Sequence, residues 1–164
     1  MNRLVTALSF AALIVSVACS NSATAPSDLN STTGGSRFAV AVRPSPITAT
    51  RCTPGCDSGS GSFAFSADMT IDVQDSSSVG GTVNSITLAG SADGTTFPPL
   101  TFSSDEIKAN VGTLHVDGHA TLSMPVTIVY NTPSGKANLA INVSLQITDD
   151  GNKSVTATGQ VNVQ

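Results

Sequence analysis

The feature that most constrains this chain is a strict alternation of apolar and polar residues that recurs along its C-terminal two thirds. Residues 63–74 place an apolar side chain at every second position, with Ser, Asp, Thr and Gln among those between. A period of two puts alternate side chains on opposite faces of a β-strand, which predicts strands with one buried face. The same pattern recurs in three further segments, at residues 120–130, 139–147 and 155–163.

Glycine-containing turn signals lie between these segments and divide the chain into separate strands. They occur at residues 80–81, 93–94, 134–135 and 150–151. Shorter strand candidates lie at residues 83–88, 97–102 and 114–116. No window has convincing helical periodicity, although residues 104–110 are compatible with a single turn. Seven or eight strands with one apolar face each imply two packed sheets, so we predict an antiparallel β-sandwich for residues 63–164, with a small closed barrel as the alternative.

The closing stretch, residues 135–164, resembles the final hairpin of bacterial immunoglobulin-like domains. A long alternating strand leads into a turn at residues 148–152, and a strand rich in Val, Thr and Ala follows at residues 154–158. The resemblance implies an immunoglobulin-like sandwich and says nothing about chemistry. Because the chain has no Trp, the Cys–Trp–Cys signature of antibody domains is missing.

The first 18 residues have the pattern of an export signal. Arg3 supplies a positive charge, and residues 4–18 form an apolar run interrupted only by three hydroxyl residues. That run is shorter than the roughly 20 residues that a membrane-spanning helix requires, and it fits the apolar core of a signal peptide. We therefore expect residues 1–18 to be removed.

The end of this segment, Ser16 to Ala18 followed by Cys19, resembles the lipobox of bacterial lipoproteins, although the family favours Leu where this chain has Ser16. The resemblance implies an acyl-lipid anchor on Cys19. It also implies the outer membrane over the inner one, because the residue after the cysteine is Ser20 and not Asp. Ser16 and Ala18 would also suit an ordinary signal peptidase, which would leave Cys19 as a free thiol.

Two regions separate the anchor from the sandwich. Residues 19–36 are small, polar and turn-rich, which predicts a flexible tether. Residues 37–62 contain an edge strand or loop, because Pro44 and Pro46 confine that stretch to a sheet edge. A flexible hinge at residues 57–62 completes this region.

The cysteine count agrees with a lipid anchor. The chain has 3 Cys, an odd number for an exported protein. If lipid caps Cys19, the remaining pair, Cys52 and Cys56, flanks a turn formed by residues 53–55. An oxidising compartment then favours a disulfide between these two residues.

The only two histidines, His115 and His119, flank Asp117. On one continuous strand the three side chains would share a face and could ligate zinc or copper, which gives a periplasmic metal-binding protein as an alternative function. Asp117 and Gly118 are also a common turn pair, and a turn there leaves both histidines in solvent. We expect the turn. A zinc site that joins these histidines to Cys52 and Cys56 fits the ligand types but not the spacing.

Other polar groups have simpler structural explanations. Residues 149–152 offer oxygen ligands but lack the acid spacing of a calcium loop, so we expect a hairpin turn with Asp149 paired to Lys153. Asp68 and Asp72 alternate with core residues and are expected to face solvent. Tyr130 is expected at the core edge with its hydroxyl in water.

Composition and motifs exclude several function classes. With 7 Lys+Arg against 11 Asp+Glu and no basic patch, a nucleic-acid partner is not expected. Neither a nucleophile elbow nor a phosphate-binding glycine loop is present, so neither an enzyme nor a cofactor is expected. We therefore predict a non-enzymatic module of the bacterial cell envelope, held to the membrane by lipid, that binds, adheres to or scaffolds a protein or surface polymer.

Overall fold

The structure is a computed structural model that describes residues 37–58 and 61–164, together with the backbone of two short strands, β1 (Val5–Leu8) and β2 (Ala11–Ile14). These two strands pair with each other, and β2 pairs with residues 127–130. The predicted tether, Cys19 and the rest of the predicted signal peptide lie outside the described residues. No helix in the described part of the chain is long and apolar enough to cross a membrane.

Two antiparallel sheets form the domain. Sheet A is centred on β5 and contains, besides β1 and β2, the strands β3 (Phe38–Arg43), β4 (Thr50–Ser58), β5 (Gly61–Asp75) and β10 (Thr121–Tyr130). Sheet B contains β6 (Gly81–Ala92), β7 (Thr95–Thr96), β8 (Leu100–Ser103), β9 (His115–Val116), β11 (Leu139–Asp149) and β12 (Ser154–Val163). One helix, α1 (Ser104–Val111), connects β8 to β9.

The strand order is that of an immunoglobulin-like sandwich. In sheet A, β5 lies between β10 on one side and β3 and β4 on the other. In sheet B, β11 lies between β12 and β6. This arrangement confirms the predicted all-β antiparallel sandwich. Eight strands, β5 to β12, lie in the predicted sandwich region, and β3 and β4 join sheet A by pairing with β5.

The core lies between the two sheets and follows the alternation of the sequence. The inward side chains of β5, β10, β11 and β12 are buried, whereas most of those between them are partly or fully exposed. The most deeply buried apolar residues include Ile71, Val73, Val83, Leu145 and Ile147. Each such side chain stabilises the fold by about 1.5–3 kcal/mol relative to exposure, so register errors in these strands are strongly disfavoured.

One side of the sandwich is closed by the chain crossing from sheet A to sheet B after β3. The Ile47 amide donates to the Asn162 carbonyl at 2.9 Å, and the Gln164 amide donates to the Ile47 carbonyl at 2.9 Å. Beside this crossover, β12 approaches β3 so closely that a Cβ on Gly159 would lie 3.0 Å from Val40 Cγ1. A glycine at this position lets the two sheets meet.

The opposite side of the sandwich is covered by α1. Ser103 and Glu106 form a reciprocal capping box at its start, and Gly112 ends it in the left-handed conformation with φ 84°. Ile107 faces the core and is buried. Beneath the helix, beside Met124 and between the two sheets, lies an apolar cavity of about 20 Å³. It has room for about one water molecule.

Candidate binding site on the outer face of sheet A

Two aspartates on the outer face of β5 each pair with a hydroxyl residue on β10. Asp68 is directly opposite Thr127, and Asp72 is directly opposite Ser123. Each hydroxyl donates a hydrogen bond of 2.6 Å to the carboxylate that it faces. The alternation of the two strands fixes this arrangement, because their inward positions carry the core residues.

Asp72 is buried although it lies on the outer face. Its side chain is 2% exposed, whereas Arg43 at the end of β3 is 47% exposed. Ser123 donates to one carboxylate oxygen, and the Arg43 Nε–H donates to the other. Ala41, directly opposite Asp72 on β3, is small and leaves room for this network. The prediction that Asp72 faces solvent is therefore wrong, because Arg43 closes over it.

Arg43 is held by Asp72 but keeps free donors. The hydrogen bond to Asp72 and the charge of that carboxylate raise the pKa of Arg43 above its usual value. Only Nε takes part in the ion pair, and no described residue accepts a hydrogen bond from either Nη group of Arg43. A guanidinium fixed at one edge presents its other edge in a defined orientation, which suits a planar acceptor such as a carboxylate.

An open cleft of about 380 Å³ lies beside this guanidinium. Its volume falls within the range of small-molecule pockets, and much of it is open to solvent. We call it the Arg43 cleft. It is lined by Arg43, Pro44, Asp68, Met69, Thr70, Pro125, Val126 and Thr127. The cleft thus offers a donor, Arg43, and an acceptor, Asp68, on a rigid sheet.

The predicted disulfide between Cys52 and Cys56 is supported by the structure. The two Cα atoms are 5.2 Å apart, within the usual range for a disulfide. The bridge closes a bulge in β4, since Arg51 pairs with Phe65 and Cys56 with Phe63. The sequence predicts the bridge but not this bulge.

Because of the bulge in β4, the Ala64 amide of β5 forms its hydrogen bond outside the strand pairing. The Ala64 amide donates to the Asn131 side-chain oxygen at 2.8 Å. Asn131 follows the last residue of β10, so the β10–β11 connection satisfies a donor that the strand pairing leaves open. This contact ties the bulge to the rest of sheet A.

The histidine segment is a turn, as expected, and the metal-binding alternative is not supported. The Ala120 amide donates to the Asp117 carbonyl at 3.0 Å, and His119 has φ 59°. His115 Nε2 lies 3.4 Å from Asp117 Oδ1 and 3.7 Å from Asp150 Oδ2. Within residues 37–58 and 61–164, no group of three or more His, Cys, Asp or Glu side chains is arranged to hold a metal ion.

Two other polar side chains have partners that differ from those expected. Asp149 pairs with Lys153 across the turn, as expected, but through the backbone, because its carboxylate accepts a hydrogen bond from the Lys153 amide at 2.8 Å. Its ion pair, at 3.3 Å, is with Arg37. The Tyr130 hydroxyl donates to the Ala137 carbonyl at 2.6 Å, and the residue is 1% exposed. The prediction that this hydroxyl lies in water is wrong, because the β10–β11 connection folds over it.

Comparison with known proteins supports the fold alone. No family model and no curated protein matches the chain. A Northeast Structural Genomics Consortium target, SoR45, has 9% sequence identity and a TM-score of 0.55, covering 77% of this chain and 86% of its own.

Two further solved structures are less similar. A FixG-related protein from Vibrio parahaemolyticus has 9% identity and a TM-score of 0.34, covering 79% of this chain and 99% of its own. The PapD-like domain 7 of human CEP192 has 12% identity and a TM-score of 0.37, covering 90% and 96%. Both are too distant to add to the description of the fold.

Proposed function

We propose that this protein is a non-enzymatic binding module of the bacterial cell envelope and that its partner contacts the Arg43 cleft. The observation that carries the proposal is the network in which Asp72 holds Arg43 while leaving both Nη groups without an acceptor. A sheet face presents side chains more rigidly than a loop does, which reduces the entropy lost on binding. The sandwich fold is compatible with binding but does not by itself determine a function.

Attachment to the envelope is the second part of the proposal. It rests on the apolar run of residues 4–18 and on the lipobox-like Ser16–Cys19. Cleavage before Cys19 would remove β1 and β2 from sheet A and release residues 127–130 of β10 from their pairing with β2. With an acyl chain on Cys19, residues 20–36 would separate the sandwich from the membrane surface. The partner would then be a protein or a polymer of the same envelope, and the outer membrane is favoured over the inner one.

The binding site can be tested by photo-crosslinking in living bacteria. A benzophenone amino acid replaces Thr70 in the cleft of the full-length chain or, as the matched control, exposed Thr158 on sheet B. We expect covalent adducts after illumination from position 70 and none from position 158. Equal adducts from both positions, or none from position 70, would overturn the proposed site.

The anchor has a separate test. Cells that express the full-length chain are labelled with radioactive palmitate, and Cys19→Ala serves as the comparison. We expect label and membrane association in the unmodified chain, and loss of both in the variant. Label that persists in the variant, or no label in either chain, would remove the lipid anchor from the proposal.

A further inference from the structure

We infer that the Arg43 cleft binds an extended peptide that carries an acidic and a basic side chain two residues apart, the acidic group on Arg43 and the basic group on Asp68. This inference rests on the proposed binding function and names its ligand class. It follows from the charges that line the cleft, from their spacing on the sheet, and from the hydrogen bonds that Arg43 and Asp68 already form.

The charges of the cleft favour a ligand with both signs. A purely anionic ligand at Arg43 would lie near two carboxylates, Asp68 and Asp72. A purely cationic ligand at Asp68 would face the guanidinium of Arg43. Each side chain has unused hydrogen-bonding capacity, since Asp72 takes only Nε of Arg43 and Thr127 donates to only one oxygen of Asp68. A ligand with one acid and one base complements both groups at once.

The register of sheet A sets the distance between the two charges. Arg43 is directly opposite Thr70 on β5, and Asp68 precedes Thr70 by two residues. Arg43 and Asp68 are therefore diagonal neighbours on one sheet face, and the Cα atoms of such neighbours are about 7–8 Å apart. In an extended peptide, side chains two residues apart point the same way and are separated by about 7 Å. Residues one apart point to opposite faces, so they could not engage both groups.

The lengths of the ligand side chains follow from the direction of Arg43. Its guanidinium leans toward Asp72 and therefore away from Asp68. A long basic side chain such as Lys spans the added distance, and a short acid such as Asp reaches the Nη groups. Pro44 and Pro125 line the cleft with rigid rings, so little side-chain entropy is lost on contact.

The test uses the full chain, ¹⁵N-labelled, and the synthetic peptide acetyl-Asp-Ala-Lys-amide. We expect NMR shifts of the Thr70 and Thr127 amides on titration. The composition-matched peptide acetyl-Asp-Lys-Ala-amide should bind about fivefold more weakly, because only one of its charges reaches the cleft. Equal affinity for the two peptides, or no shift at either amide, would overturn the inference.

Two conservative variants test the named residues without disturbing the fold. Asp68→Asn keeps an acceptor for Thr127 and should weaken binding of acetyl-Asp-Ala-Lys-amide about fivefold, whereas Asp57→Asn removes an exposed charge outside the cleft and should leave it unchanged. Arg43→Lys keeps the charge beside Asp72 but loses the planar fork, and it should also weaken binding. Unchanged affinity in Asp68→Asn would contradict the assigned role of Asp68.

This experiment fails independently of the crosslinking test. Adducts from position 70 without peptide binding would show that the ligand class is wrong and leave the binding function standing. Peptide binding with no adduct in cells would support the cleft chemistry and show that the cleft is not the site of the cellular partner.

Discussion

The two outer faces of this sandwich are both polar, yet they are built from different chemistry. The outer face of sheet A contains Arg43, Asp68 and Asp72, one of them buried. The outward positions of β11 and β12 in sheet B, at residues 140–148 and 154–162, carry no Asp, Glu, Lys or Arg. They present Ala and the neutral polar residues Ser, Thr, Asn and Gln.

The hydrogen bonds of the two faces differ in the same way. On sheet B, neutral side chains pair across neighbouring strands, as between Thr156 and Gln146 at 3.1 Å. On sheet A, two hydroxyls of β10 and the guanidinium of Arg43 on β3 donate to the two carboxylates of β5. Charge-assisted hydrogen bonds are roughly twice as strong as neutral ones, so we expect stability and recognition to depend on sheet A far more than on sheet B.

The largest effect is expected from Arg43→Ala. Removal of the guanidinium leaves Asp72 buried with Ser123 as its one donor, and we expect a loss of about 2 kcal/mol in the free energy of unfolding, below the full value for a buried pair because water reaches the half-exposed Arg43. Urea denaturation measures it. Thr158→Ala on sheet B is the control and should change stability by less than about 0.5 kcal/mol.

The double variant Arg43→Ala with Asp72→Ala sharpens this result. It removes the buried carboxylate together with its partner, so it should be more stable than Arg43→Ala alone. If Arg43→Ala and Thr158→Ala lower the free energy of unfolding equally, the contrast between the two faces does not extend to stability.

Tyr130 lies on the core side of sheet A. Its ionisation makes the stability of the fold depend on pH. Burial raises the pKa of Tyr130 to about 12, above the usual value of about 10. The folded state therefore holds the phenol proton more tightly than the unfolded state does. Its contribution is complete below about pH 10 and is lost as the pH rises toward about 12.

Tyr130→Phe isolates that contribution. At neutral pH the variant should lose about 1 kcal/mol, because the Ala137 carbonyl loses its donor. Between about pH 10 and 12, the urea midpoint of the unmodified protein should fall more steeply than that of the variant. The two proteins differ only in the Tyr130 hydroxyl, so parallel declines would contradict the assignment to Tyr130.

The smallest effects come from a matched pair of threonines. Thr127→Ala removes a donor to the Asp68 carboxylate and should cost about 1 kcal/mol. Thr156→Ala removes a neutral bond to Gln146 on an exposed face and should cost less than about 0.5 kcal/mol. Thermal unfolding of the two variants side by side measures the difference, and a larger loss in Thr156→Ala would reverse the ranking of the two faces.

Periodicity predicted the strands and their buried faces because both depend on local sequence. It also placed Asp68 and Asp72 on one face of β5. It could not show that Asp72 is buried, since that depends on Arg43, 29 residues earlier in the chain, and on Ser123, 51 residues later. The Tyr130 hydroxyl was misplaced for a similar reason, because its partner belongs to the following connection.

The sequence predicted the turn of the histidine segment, but it did not show whether residues 37–58 belong to the sandwich. Asp117 and Gly118 favour a turn by their own backbone preferences. The prolines at positions 44 and 46 favoured an edge strand or a loop. In the structure β3 is an edge strand beside β5, and the chain after it crosses to sheet B. Only the partners, which lie far along the chain, decide between a loose region and a strand.

The crossover beside β12 has a mechanical consequence. Ile47 and Val163 lie side by side in parallel, and the bonds that join residues 47 and 49 to residues 162 and 164 are each 2.9 Å long. A force that pulls residue 37 away from residue 164 loads these bonds in shear, so they share the load and rupture together instead of opening one at a time. Tension applied between residue 37 and the end of β12 would therefore meet its first resistance at this seam.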